Sequence, residues 1–285
     1  MNGLEKSAKQ ETVYMIVTVL LYAIGAASIP YNWLSDLLGG AKEWEWTFGF
    51  LTKVLASILP IYLIVKFGFK KTLSFKGCTL LSLALVFPAF LVMLNNLPFI
   101  PLISGDMSIN GNFFQILLYA LFTFSIGVLE ETAFRGSILP LCLIKFSKDK
   151  KGVFWSVIVS SLIFGSVHIL NLLNGFSPAV FLQVGYSFLI GATCGFAYIV
   201  CGNIYLPIIF HGLFNFGGMM VGEGIGVGTL WTTTNIVWTA ISSVVLCVLI
   251  IVIFVKKDFS SVYSRLNILE QGKMEKEDEG SCSKG

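Results

Sequence analysis

The stretch TTNIVWTAISSVVLCVLIIVIFV, residues 233–255, contains no charged side chain. As a helix rising 1.5 Å per residue it reaches ~35 Å, more than the ~30 Å of hydrocarbon in a bilayer. Seven more apolar runs of comparable character precede it, at 13–29, 48–65, 79–103, 113–130, 153–171, 178–200 and 204–222. In hydrocarbon each backbone N–H and C=O must be satisfied within the protein, which leaves helices as the natural spanning element. The sequence therefore predicts an all-α, polytopic membrane protein of eight transmembrane helices. Composition points the same way: 55% of the 285 residues are hydrophobic and 12% charged, against ~25% charged in a soluble domain. So much apolar surface needs lipid as its solvent.

Within this map, run 79–103 is expected to kink at Pro88 and to end in the Pro98–Pro101 stretch. Segment 137–146, SILPLCLIKF, is too short to span and either lies in the interface or extends the fourth helix. Residues 1–255 read as a single membrane domain, and 256–285, with its acidic run EKEDEG, as a polar cytosolic tail. The N-terminal run lacks a small-residue cleavage site and reads as a retained first helix. GEGIGVG at 222–228 reads as a flexible loop, because no Lys-Ser/Thr pair follows in phosphate-loop register.

Charge orients the bundle. With eight spans both termini share a side, and 17 of the 19 Lys and Arg residues, Arg135 among them, fall on it. Lys42 falls on the other side, and Lys53 lies within a span, where it is expected to snorkel or pair without further role. The positive-inside rule then puts both termini in the cytosol of a multi-pass cell-membrane protein. A net charge of +3 with no basic stripe excludes a nucleic-acid partner. The six cysteines form no CxxC pair and read as reduced, packed thiols. Cys282 is fourth from the end, but Ser, Lys and Gly follow it, unlike a prenylation signal.

Ionisable groups inside spans cost ~2.5–3.5 kcal/mol each on insertion scales and are functional candidates. Glu130, Glu131 and Arg135 lie at the end of the fourth run, His168 in the fifth and His211 in the seventh; these are the only two histidines of the chain. Glu131 and Arg135 are i and i+4 with the acid first, the favourable order for an ion pair. Glu130 is turned ~100° from Glu131, so Glu131–Arg135 reads as a brace and Glu130 as the acid facing a polar cavity. His211 and Asn215 share a helix face one turn apart, and Phe164 stands one turn before His168. A carboxylate with an imidazole can activate water, and a second imidazole with an amide can stabilise an oxyanion. The same groups could instead hold a divalent metal. Each pair taken alone also fits ordinary interhelical bonding or an interfacial charge anchor.

Taken in order, EETAFR (130–135), FGSVH (164–168) and HGLFN (211–215) carry EExxxR, FxxxH and HxxxN patterns. They resemble the CPBP family of intramembrane proteases (CAAX protease and bacteriocin-processing, or Abi, proteins) over roughly 113–222. The resemblance implies that Glu130 acts as general base on a water oriented with His168, that His211 and Asn215 support the oxyanion, and that Glu131, Arg135 and Phe164 stabilise the site. It implies a membrane-associated peptide or protein as substrate and the bilayer as partner. The family is often described as metal-dependent; a metal-free mechanism is preferred here, with zinc or another divalent ion on Glu130, His168 and His211 as the alternative. A short chain with few loops and no organelle-retrieval signal is similar to the bacterial members, some of which serve bacteriocin immunity. Two other readings keep the same cavity: a catalytically silent immunity or binding membrane protein, and a transporter using Glu130 and His168 as a proton relay.

Depth is the open question. Counted from the cytosolic edge, His211 lies ~10 Å in and His168 ~22 Å, while Glu130 falls near the edge. For them to meet, the fifth span must project or tilt, or the fourth must continue into 131–146. A cavity opening towards the cytosol is expected.

Overall fold

A computed structural model describes residues 3–75 and 78–266. Among these residues twelve α-helices follow in chain order. The first six are α1 (Gly3–Ala27), α2 (Asn32–Leu37), α3 (Lys42–Lys66), α4 (Leu80–Leu94), α5 (Phe99–Ser104) and α6 (Phe113–Ala133). They are followed by α7 (Leu139–Lys145), α8 (Lys150–Val167), α9 (Ala179–Cys201), α10 (Tyr205–Met219), α11 (Thr233–Lys256) and α12 (Val262–Arg265). A two-stranded antiparallel ribbon, β1 (Met107–Ile109) with β2 (Gly226–Gly228), pairs Ser108 with Val227.

All eight apolar runs become helical, and six candidate spans among the described residues are long and apolar enough to cross a bilayer. The chain is a multi-pass α-helical membrane protein. The expected count of eight full spans is not reached. The third and seventh runs give α4 and α10, each of 15 residues, or ~22 Å. Run 79–103 is divided rather than only kinked: α4 ends at Leu94, and after a turn Pro98 caps the short α5. Pro88 is accommodated inside α4.

The fourth run goes deeper than its apolar boundary. Phe113–Lys145 is continuously helical for 33 residues, because Phe134–Ile138 forms a π-helical turn that joins α6 to α7. Glu130 thus stands near the middle of a long helix, and 137–146 extends that helix instead of lying in the interface. Arg135, counted above with the cytosolic charges, is 1% exposed within the bundle. Among the described residues, Lys66, Lys70, Lys71, Lys145, Lys148, Lys150, Lys151, Lys256 and Lys257 stay at or beyond the helix ends.

Helix directions group the connections at two ends. At one end, Ile204 N–H donates to Thr72 O (3.1 Å) and Tyr205 Oη to Leu73 O (2.9 Å). There too Tyr263 Oη donates to Ser147 O (2.8 Å), and Arg265 caps the end of α9 through Val200 O (2.9 Å) and Ile199 O (2.6 Å). Part of the expected solvated tail belongs to this packing. Phe259, Val262, Tyr263 and Leu266 recur at helical spacing and are buried in the main core. The acidic run and Cys282 lie outside the described residues; Cys78, Cys142, Cys194, Cys201 and Cys247 are free thiols.

The opposite end is tied by the ribbon and by a polar clasp. Trp46 Nε1 donates to Glu223 Oε2 (3.0 Å), Lys42 Nζ stands 3.4 Å from the same oxygen, and Gln115 Nε2 donates to Glu43 Oε1 (2.7 Å). The glycine-rich 222–228 segment is therefore a paired strand and turn held on α3, not a free loop. Gly228, at φ +118°, supplies a backbone conformation that other residues seldom adopt.

Candidate active site

The site forms where α6 crosses α10. A Cβ on Gly127 would lie 3.2 Å from Gly212 N and from Ile208 O, so the hydrogen of glycine is what lets the two backbones approach. One turn further along α6, Glu130 and Glu131 come level with His211 on α10.

The two acids take opposite nitrogens of the one imidazole. Glu131 Oε1 lies 2.7 Å from His211 Nδ1, and Glu130 Oε2 lies 3.5 Å from His211 Nε2. Because a carboxylate accepts, Nδ1 carries the proton that faces Glu131. Glu131 Oε1 also accepts from Arg135 Nη1 (2.9 Å), and Arg135 Nη2 donates to Gly191 O (2.8 Å). Glu131 is fully buried, whereas the Glu130 side chain is 20% exposed. The ~100° rotation between neighbours thus separates one acid sealed among helices from one open to a cavity.

Phe164 joins the parts. Its ring meets the His168 ring edge-on at 5.2 Å and the His211 ring at 5.7 Å, and the Arg135 guanidinium stands 4.7 Å from its centroid. α8 ends just beyond it. His168 is the C-cap, and His168–Asn174 continues as a 3₁₀ turn. His168 Nδ1 lies 3.1 Å from Phe164 O; a carbonyl only accepts, so Nδ1 is the protonated nitrogen and Nε2 the acceptor.

Glu130, His168, His211 and Asn215 all line one cavity of about 510 Å³. A second cavity of about 450 Å³, walled by α1, α6 and α8, shares Glu130, Phe164, His168 and Gln183 with the first. Four residues from three motifs, 85 positions apart in sequence at the extremes (130 to 215), therefore meet around shared space.

The sequence reading passed over Gln183 and gave Lys53 no role beyond snorkelling or pairing. Gln183 lies at the junction of both cavities with its Oε1 held by Asn171 Nδ2 at 2.8 Å. Its one legible signal is an amide in an otherwise apolar span. Lys53 is 5% exposed, so it does not snorkel. Its Nζ donates to Ala27 O (2.8 Å) and Ala26 O (3.3 Å), capping the last turn of α1, and Glu130 is the acid that acts on it electrostatically.

A metal was an alternative for Glu130, His168 and His211. Among the described residues no three His, Cys, Asp or Glu side chains converge in a way that could hold one. His211 Nδ1 and His168 Nδ1 are already engaged by Glu131 and by Phe164 O. Nε2 of each histidine lies outside those bonds.

Fold and site together define a multi-pass membrane protein with an acid–imidazole cluster enclosed by its helices. Residues 112–217 match the family model described as Type II CAAX prenyl endopeptidase Rce1-like. All three motifs fall inside that match, and the resemblance to CAAX-type membrane proteases is shown over this stretch. Neither the curated proteins nor the solved structures return a match.

Proposed function

We propose that this protein is an intramembrane endopeptidase that hydrolyses a peptide bond of a membrane-associated protein or peptide. The observation that carries the reading is the placement of Glu130, the one partly exposed acid of the cluster, beside His211 and on the wall of a cavity that His168 and Asn215 also line. Glu130 removes a proton from water as the water oxygen attacks the scissile carbonyl carbon. His168 Nε2, free to accept once Nδ1 is bound to Phe164 O, orients that water.

As the carbonyl oxygen gains charge, the Asn215 amide donates to it together with Nε2–H of His211 in its imidazolium form, in which both ring nitrogens carry a proton. Glu131 fixes the His211 ring from behind, and Arg135 fixes Glu131. Collapse of the tetrahedral intermediate breaks the C–N bond, and the proton held by Glu130 passes to the departing amine. The family match supports this assignment through its description as an endopeptidase.

The test is incubation of the purified protein with membrane peptides, with and without a chelator, beside Glu130→Gln. Cleavage that resists chelation and is lost in the variant supports the reading. Cleavage retained by Glu130→Gln overturns the role of Glu130. Absence of cleavage, with an unchanged cellular phenotype in a stably inserted variant, favours a silent binding protein. Vesicle uptake lost in the same variant favours a transporter.

A further inference from the structure

We infer that the catalytic cavity opens on the face of the membrane opposite the Lys-rich loops, so that the substrate is a polypeptide presented from the non-cytosolic side. This rests on the peptidase reading for the word substrate, while the direction of opening rests on the geometry of the cavity together with the distribution of basic residues. It reverses the cytosolic opening expected from sequence.

The helix directions decide it. α4 and α10 run away from the Lys-rich end, and the cavity is lined at their far ends, by Asn95 and Asn96 after α4 and by Gly218 and Met219 on α10. α9 and α11 run the other way, and the cavity is lined by residues from their early turns to about their middle, from Gln183 to Ile190 on α9 and from Thr239 to Cys247 on α11. Trp231, beside the β2 strand, completes the same rim. The second cavity also reaches the surface in this half, past the exposed Ser28 and Asn171.

The other half is packed with side chains among the described residues. Phe196, Phe254 and Phe259 pack ring against ring with centroids 5.6–6.1 Å apart. Val262, Tyr263 and Leu266 seal the same end at 2% exposure or less, and Arg265 caps α9 there. This closed end carries Lys66, Lys70 and Lys71, the Lys145–Lys151 group, and Lys256 and Lys257. The open end carries Lys42 with Asp36, Glu43, Glu45, Asp106 and Glu223. So one-sided a distribution of basic residues places the closed end in the cytosol. The cavity then faces outward.

The chain supplies its own pair of reporters. Cys247 lines the cavity and Cys78 lies at the closed end, and both are partly exposed while Cys142, Cys194 and Cys201 are buried. Intact cells expressing the full chain are treated with a charged, membrane-impermeant maleimide, and the modified peptides are identified by mass spectrometry. Ser28→Cys, on the rim of the second cavity, and Lys148→Cys, in a Lys-rich loop, are treated in parallel. We expect Ser28→Cys and Cys247 to react at least ten times faster in intact cells than Lys148→Cys and Cys78, which react after permeabilisation. If Ser28→Cys or Cys247 stays unmodified in intact cells, or Lys148→Cys reacts there, the inference is overturned. A chain that labels as expected yet cleaves no peptide leaves the direction of opening intact and removes only the peptidase reading.

Discussion

Glu131 holds the Nδ1 side of His211 at 2.7 Å with the same oxygen that pairs with Arg135 at 2.9 Å. The ring is thereby fixed by a charge that is itself fixed, and neither Glu131 nor Arg135 has solvent to fall back on. Removing the carboxylate leaves a buried guanidinium without its counter-charge, a change that costs about 3–5 kcal/mol. Glu131→Ala is expected to lower the melting temperature in detergent and abolish activity. Replacing both partners, Glu131→Leu with Arg135→Met, should restore most of the melting temperature but not the activity. A double variant that regained activity would show that Glu131 serves only the fold.

Gly127 sets the distance across which Glu130 and Glu131 reach His211. A methyl group there meets backbone atoms of α10 at 3.2 Å, and backbone cannot rotate away as a side chain can. Overpacking of this kind costs about 1–3 kcal/mol. Gly127→Ala should lower kcat more than it raises KM, and Gly127→Val should lower it further. Gly25→Ala, where a Cβ meets nothing within 4 Å, is the control and should leave both unchanged.

Apolar run length made the helices legible, because a run that fills ~30 Å of hydrocarbon has few alternatives to a helix. The end of the fourth helix was hidden by its own chemistry. Glu130, Glu131, Arg135, Gly136 and Pro140 look like a boundary when read in line. In space the π-helical turn absorbs them, Gly136 fits against Ile64 where a Cβ would approach to 2.3 Å, and Pro140, which has no N–H to donate, sits at the start of α7 just after that turn. The motif residues were legible as candidates from their polarity in apolar surroundings. Their pairing was not, since Glu131 and His211 stand 80 positions apart. Which half of the bundle is hollow was equally invisible, because it depends on Phe259, Val262 and Tyr263 folding back to fill the other half.

Asp149 gives a pH dependence outside the spans. Ser147 Oγ donates to its carboxylate at 2.7 Å and Gly152 N–H at 2.8 Å, and these bonds hold the carboxyl below its ordinary value. A carboxyl depressed on folding adds stability above its unfolded pKa of ~3.9 that is lost as the pH falls through the folded value. The melting temperature of the native chain should therefore drop from pH 6 to pH 3 by more than that of Asp149→Asn, which keeps the cap of α8 without the charge. Equal drops would mean that the cap is not linked to protonation.

Neither cavity is lined by Lys or Arg among the described residues, and the acid that faces both is Glu130. A free carboxylate drawn into this space would meet a like charge and no basic partner beyond the two imidazoles, in surroundings that screen charge poorly. An internal peptide bond brings only neutral amides, which Asn95, Gln183 and Asn215 are suited to bind. Two peptides of one sequence, ending two residues past the scissile bond in either a carboxylate or a carboxamide, separate these cases. The carboxamide should be cleaved with the higher kcat/KM, by tenfold or more, and the difference should shrink as the peptide is lengthened and its terminus leaves the cavity. A preference for the free acid at the short length would point to a cation in the site that the described residues do not supply.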